Sequence, residues 1–178
     1  MPQGADEMAA QIVAFARDRM GNEVGDGECY DLADQALHSV GARSAPDYGE
    51  ITAEADYVWG QPVPLSQAQP GDIVQFHNFN VTTTIIATTR QLDGRTYTTQ
   101  SWEQDQREHH TAIVEQNFGT SLSLLEQNVE PLGMRVQRTI VPVVSATLDR
   151  VEGDPNAWGT TQIAVEGDVR VYRPVPQE

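Results

Sequence analysis

The chain has 178 residues, 39% of them hydrophobic, and a formal net charge of -15 from 26 acids against 11 bases. That length can bury one sizeable core, and no Gly-, Ser- or Pro-rich linker divides it, so a single domain over 1–178 is expected. The acidic field repels phosphate backbones and anionic head groups, and the lone cysteine rules out internal disulfides and multi-thiolate zinc or iron–sulfur sites.

The N-terminal stretch "MPQGADEMAAQIVAFARDRMG" has neither a basic leader nor a long apolar run, so it does not read as a signal peptide. No segment is apolar enough for membrane insertion. Residues 6 to 20 place Met8, Ala9, Ile12, Ala16 and Met20 at helical spacing, with Gly21 as a stop. A second helix is expected from near Cys29 to before Gly41, with Leu32, Ala33, Ala36, Leu37 and Val40 as its apolar stripe. Cys29 falls on that inward face, in the first turn, where unpaired N–H groups and the helix dipole favour thiolate. The neighbouring acids Asp26, Glu28 and Asp31 act in the opposite direction. "GDGE" (25–28) carries too few carboxylates at calcium-loop spacing, so neither a metal nor a cofactor site is expected.

From 42 to 70 the chain is rich in Pro, Gly, Ala and Ser and reads as an ordered loop. Short β-type runs follow at 72–76, 81–89, 95–102, 111–117, 121–128, 134–144 and 161–174, with "LDG" and "FG" as hairpin turns. Helices first and a meander afterwards predict an α+β domain, with N-terminal helices packed on a mainly antiparallel sheet. Residues 81–102 read as an extra β-hairpin placed to roof a cleft, and 129–178 as a C-terminal strand extension.

A cysteine nucleophile needs a base within hydrogen-bond reach and a third group to orient it. His38 lies nine residues along the same helix, about 13 Å from Cys29, and is too far. His77 ends a strand, where it lines a cleft or is simply solvated. His109 and His110 open the strand "HHTAIVEQ", and alternation lets only one of them face the helix carrying Cys29. In "LSLLEQNV" the residues Leu124, Glu126 and Asn128 share one face. Pairing about the 118–120 turn sets 110 near 128 and brings Glu126 or Asn128 beside His110. Trp59 and Trp102 are the aromatic residues expected to face a substrate, with Tyr57 as core or cleft wall.

The ordered series "GECYDLA", "PGDIVQF", "HTAIV" and "LLEQN" resembles the CHAP amidase domains, members of the papain-like clan that also holds the NlpC-type cell-wall peptidases. The resemblance covers about 8–128 and implies Cys29 as nucleophile, His110 as general base and Glu126 as the orienting residue, with Asn128 a further polar member. It implies a cysteine amidase or endopeptidase acting on peptide or peptidoglycan-type substrates through a thioester, and an extracytoplasmic setting if the target is a cell wall. The chain departs from the family pattern in having His109 where a glycine usually stands. Two other uses of the same residues stay open: a non-catalytic binding or structural module, and an acyl transferase.

Overall fold

The computed structural model describes residues 4–53, 55–151 and 154–178; the first three residues of the N-terminal stretch read above lie outside it. Two α-helices, α1 (Ala5–Arg17) and α2 (Cys29–Ser39), precede seven strands. These are β1 (Gln61–Val63), β2 (Ile73–Arg90), β3 (Thr96–Asn117), β4 (Ser121–Glu126), β5 (Gln137–Pro142), β6 (Ala146–Leu148) and β7 (Ala157–Arg173). They form one antiparallel sheet in the order β1-β7-β2-β3-β4-β5, with β6 paired to β7 beside β1. Among the described residues no helix is long and apolar enough to cross a membrane.

Helix α1 buries Met8, Ile12, Val13 and Ala16, spaced three or four apart so that they share one face. It stops at Arg17, earlier than the periodicity suggests. Met20 lies beyond its end and is exposed, and the Gly21 N–H is taken by the Val136 carbonyl. Helix α2 buries Leu32, Ala33, Ala36 and Leu37. Both helices join one core with Trp59, Ile73, Ile113, Leu125, Val136 and Tyr172. The opposite face buries Val74, Phe76, Phe79, Val81, Ala112, Val114, Leu122, Leu124, Val141 and Val171. Among the described residues neither α-helix contributes to that second core; Leu65 and Ala68 from the turn before β2 join it, and the sheet itself curls to cover it.

The strands differ from the sequence reading in length. The runs 72–76 and 81–89 are one strand of 18 residues, and 95–102 and 111–117 belong to one of 22. The polar residues between them interrupt the apolar pattern but not the ladder, which runs from Ile73↔Ile113 to Arg90↔Thr96. The 81–102 hairpin is therefore the outer half of two core strands. Strand β7, in the segment after Asn128, lies between β1 and β2 and pairs with β2 along most of its length.

A third of the way along β2 the alternation of faces breaks. Asn78 has a positive φ of 47°, and the β2–β7 register shifts between His77 and Asn80. Phe76 and Phe79, three residues apart, consequently enter the same core. Gly167 passes so close to this bend that a Cβ would lie 2.2 Å from the Asn78 carbonyl oxygen, which excludes any other residue there.

Glu115 ties the layers together. It accepts hydrogen bonds from Arg138 of β5 (2.5 and 2.6 Å), Arg17 of α1 (2.7 Å) and Ser123 of β4 (2.9 Å). The Arg138 bonds lead in holding its carboxyl down to about 2, against an ordinary 4.5. A lowered folded-state pKa means that the contribution is complete above the ordinary value and is lost as pH falls toward 2. Both arginines are about half exposed, so screening limits the gain. Glu115→Gln is expected to cost about 1–2 kcal/mol in urea unfolding at pH 7, with the gap to the native chain closing near pH 2. A gap independent of pH would contradict this role.

Candidate active site

Cys29 is the first residue of α2, and the loop before it is fixed from two sides. The Gln127 side chain accepts from the Val24 N–H (3.1 Å) and donates to the carbonyls of Val24 (2.8 Å) and Glu28 (2.7 Å). The Asp31 carboxylate accepts the Asp26 N–H at 2.9 Å. Of the three acids near the thiol in sequence, Asp31 thus has its carboxylate engaged in shaping the loop.

The His110 ring meets the thiol at the edge of the sheet. The β3–β4 ladder runs only over 113–117, so β3 has left β4 by the time it reaches His110. The thiol takes a backbone hydrogen bond from Thr111 and a side-chain hydrogen bond with His110. By alternation His110 belongs with Ala112 and Val114 on the face away from the helices, but a thiol on the strand edge is within reach of either face. His109 goes elsewhere, toward Asp56.

The other ring nitrogen of His110, Nε2, lies 2.7 Å from Glu126 Oε2, which leaves Nδ1 for the thiol. Glu126 is fully buried at the last residue of β4. Arg107 grips its carboxylate with two donors, Nη2 to Oε1 at 2.7 Å and Nε to Oε2 at 3.3 Å, while the Thr139 hydroxyl donates to Oε1. Arg107 is itself buried, lies over the Phe76 ring and pairs with Asp105. Four groups thus form one chain, Arg107–Glu126–His110–Cys29.

The electrostatics follow from burial set against these contacts. Burial alone would raise the Glu126 pKa, but hydrogen bonds and charge from His110 and Arg107 bring it down to about 2. Burial would lower that of His110, but bonds and charge from Cys29 and Glu126 lift it to about 9. Burial pushes the Cys29 thiol up; the bond and charge of His110 and the bond from Thr111 outweigh it, with Glu28 a minor opponent, and the thiol falls below its ordinary value. The direction is that of a thiolate–imidazolium pair.

The remaining candidates lie apart from this chain. Asn128 does not share the Glu126 face: β4 ends at Glu126, Asn128 has a positive φ of 60°, and its amide donates to Glu28 Oε2 at 2.8 Å. It lines the cleft beside Cys29 without touching His110. Trp59 is fully buried, its indole N–H bound to Gln75 at 3.0 Å, so it cannot meet a substrate as expected. Trp102 is 65% exposed on the outer hairpin, opposite Thr84, and is not part of the cleft wall. His77 is turned to Asp56 at 3.0 Å and does not line the cleft either. The cleft, about 470 Å³, is bounded by Glu28, Cys29, residues 106–110 and the 128–133 loop, and no residue of 81–102 covers it.

No sequence pattern singles out Arg107 or Gln127. Strict alternation puts Arg107 on the opposite face to His110; the break that returns it comes at Asn78 on the neighbouring strand. Gln127 lies between two residues chosen for their shared parity, and the strand ends before parity applies to it.

Residues 1–152 match the family model of the AIM3/BBC1 cysteine proteinase-fold domain. A curated relative, altered inheritance of mitochondria protein 3 of Debaryomyces hansenii, is 28% identical over 163 residues. The match takes in 83% of this chain but only 16% of the relative's length. No solved structure matches the chain.

Arg107→Lys keeps the charge but loses the planar two-donor grip on Glu126. Alkylation of Cys29 by iodoacetamide at pH 7 is expected to slow about tenfold, equivalent to about 1.4 kcal/mol less support for the charged pair. An unchanged rate in the folded variant would show that Arg107 does not position Glu126.

Proposed function

The chain belongs to the AIM3/BBC1 cysteine proteinase-fold domain family, and from that premise we propose that it is a cysteine-dependent hydrolase of amide bonds. The observation that carries this reading is the continuous contact from Cys29 through His110 to the buried Glu126, opening on a cleft of substrate size.

In the proposed reaction the Cys29 thiolate attacks the carbonyl carbon, forming a C–S bond as the carbonyl electrons move onto oxygen. Backbone N–H groups at the start of α2, that of Cys29 included, face the developing oxyanion. The C–N bond breaks as His110 gives its proton to the leaving amine. Water then attacks the thioester, losing a proton to His110, and thiolate leaves as the acid is released. Glu126 remains ionised throughout and holds the ring in its orientation, with Arg107 and Thr139 holding Glu126.

The cleft wall includes Glu28, Glu108 and Glu130, while Arg107 is already bound to carboxylates. A neutral or basic peptide segment suits this wall better than an anionic polymer. CHAP domains would direct the same chemistry to peptidoglycan peptides; neither the family description nor the name of the yeast relative mentions a wall substrate. We therefore assign the substrate class as a polypeptide amide and leave the peptidoglycan peptide as the comparison substrate.

Cys29→Ala is expected to lower hydrolysis of a basic fluorogenic peptide by about a thousandfold or more while its circular dichroism stays native. The native chain is expected to favour that peptide over an acidic one and over muropeptides. Retained turnover in the folded Cys29→Ala variant would overturn the mechanism, and a preference for muropeptides would overturn the substrate assignment.

A further inference from the structure

Beside the cleft, which His109 also lines, three ligating side chains from separate parts of the chain converge. His77 and His109 are directly opposite one another on β2 and β3, their rings 5.0 Å apart. Asp56 comes from the loop before β1, and its Oδ1 lies 3.0 Å from His77 Nδ1 and 3.4 Å from His109 Nδ1. One ligand atom from each residue lies within 4.8 Å of the other two. We propose that Asp56, His77 and His109 form a binding site for a divalent transition-metal ion of the zinc class.

The donor set selects the ion. Two imidazoles and one carboxylate suit zinc and its neighbours, whereas calcium and magnesium require mostly oxygen ligands. Zinc bonds of ~2.0–2.2 Å set tetrahedral donors about 3.3 Å apart, and both Asp56 separations are already close to that figure. The histidine ligand atoms lie within 4.8 Å, a gap that side-chain rotation can close to the same figure. The three side chains are 24–32% exposed, so the remaining coordination positions face solvent and the ion can exchange.

The surroundings fit as well. Asn78 Nδ2 lies 3.1 Å from His77 Nε2, while His77 Nδ1 faces Asp56. With the amide turned over, its oxygen accepts from Nε2–H and leaves Nδ1 to the ion, the usual outer partner of a ligating imidazole. The left-handed backbone at Asn78 is what brings that amide alongside the ring.

An ion here joins two structures that flank the thiol. His109 adjoins His110 on β3. Asp56 adjoins Tyr57, whose ring packs edge-on against both Tyr30, next to Cys29, and Trp59. Binding would fasten this aromatic loop to the strand carrying the proposed base. The sequence gives no warning, because ligands 21 and 32 residues apart form no spacing motif and meet only through strand pairing.

The test uses the full chain after chelator treatment, titrated with cobalt(II) and then with zinc, with binding read by visible absorption and by thermal unfolding. Native protein is expected to bind one ion, which zinc displaces, and to unfold at higher temperature when loaded. Cys29→Ala is expected to keep the site, while His77→Ala and Asp56→Asn each weaken binding about a hundredfold with circular dichroism unchanged. If His77→Ala does not fold, Asp56→Asn, which preserves shape, decides alone. Absence of binding by the native chain, or binding lost with Cys29 and kept without Asp56, would overturn the proposal. Every readout is independent of peptide hydrolysis, so failure of the proposed activity leaves this result intact.

Discussion

Glu126 is a fully buried carboxylate, and the rest of the site depends on how it is held. Taking an ion out of water costs several kcal/mol unless its lone pairs are filled. Here a guanidinium, an imidazole and a hydroxyl fill them. Once fixed in the ionised form, Glu126 gives the buried His110 a reason to be protonated, and a protonated His110 gives Cys29 a reason to be a thiolate. The polarity of the chain runs outward from a charge at the end of β4 to a sulfur at the start of α2.

That arrangement explains features of the fold that otherwise look arbitrary. β4 ends at Glu126, and the next residue, Gln127, turns at once to clamp the loop that delivers Cys29. β3 parts from β4 before His110, so its open edge can receive the thiol. The bend at Asn78, with Gly167 packed beneath it, reverses the side-chain alternation and brings Arg107 and Phe79 to the interior. Each is a local departure from regular strand geometry.

The sequence disclosed the parts of this that have a period or a cap. The helical spacing of Met8, Ile12 and Ala16, the position of Cys29 at a helix start, and the pairing of 114 with 124 can all be read from pattern alone. What could not be read is whatever depends on a broken pattern. Parity groups Asn128 with Glu126, and a positive φ takes it off the strand. Trp59 reads as a substrate-facing aromatic, yet its indole N–H donates to Gln75 in the core. The long strands read as separate runs because Thr, Gln and Glu on an exposed hairpin do not alternate with apolar residues. The acids around Cys29 looked like an obstacle to thiolate formation, yet Asp31 is occupied with the loop and Glu28 is only a minor opponent.

The central claim is that Glu126 charges the dyad. Direct ultraviolet titration of the Cys29 thiolate, comparing the native chain with Glu126→Gln, tests it most closely. The account predicts thiolate absorbance in the native protein below the ordinary cysteine value of ~8.5, and an upward move in the variant. A native thiol titrating at ~8.5 or above, or a titration unchanged by Glu126→Gln, would contradict it.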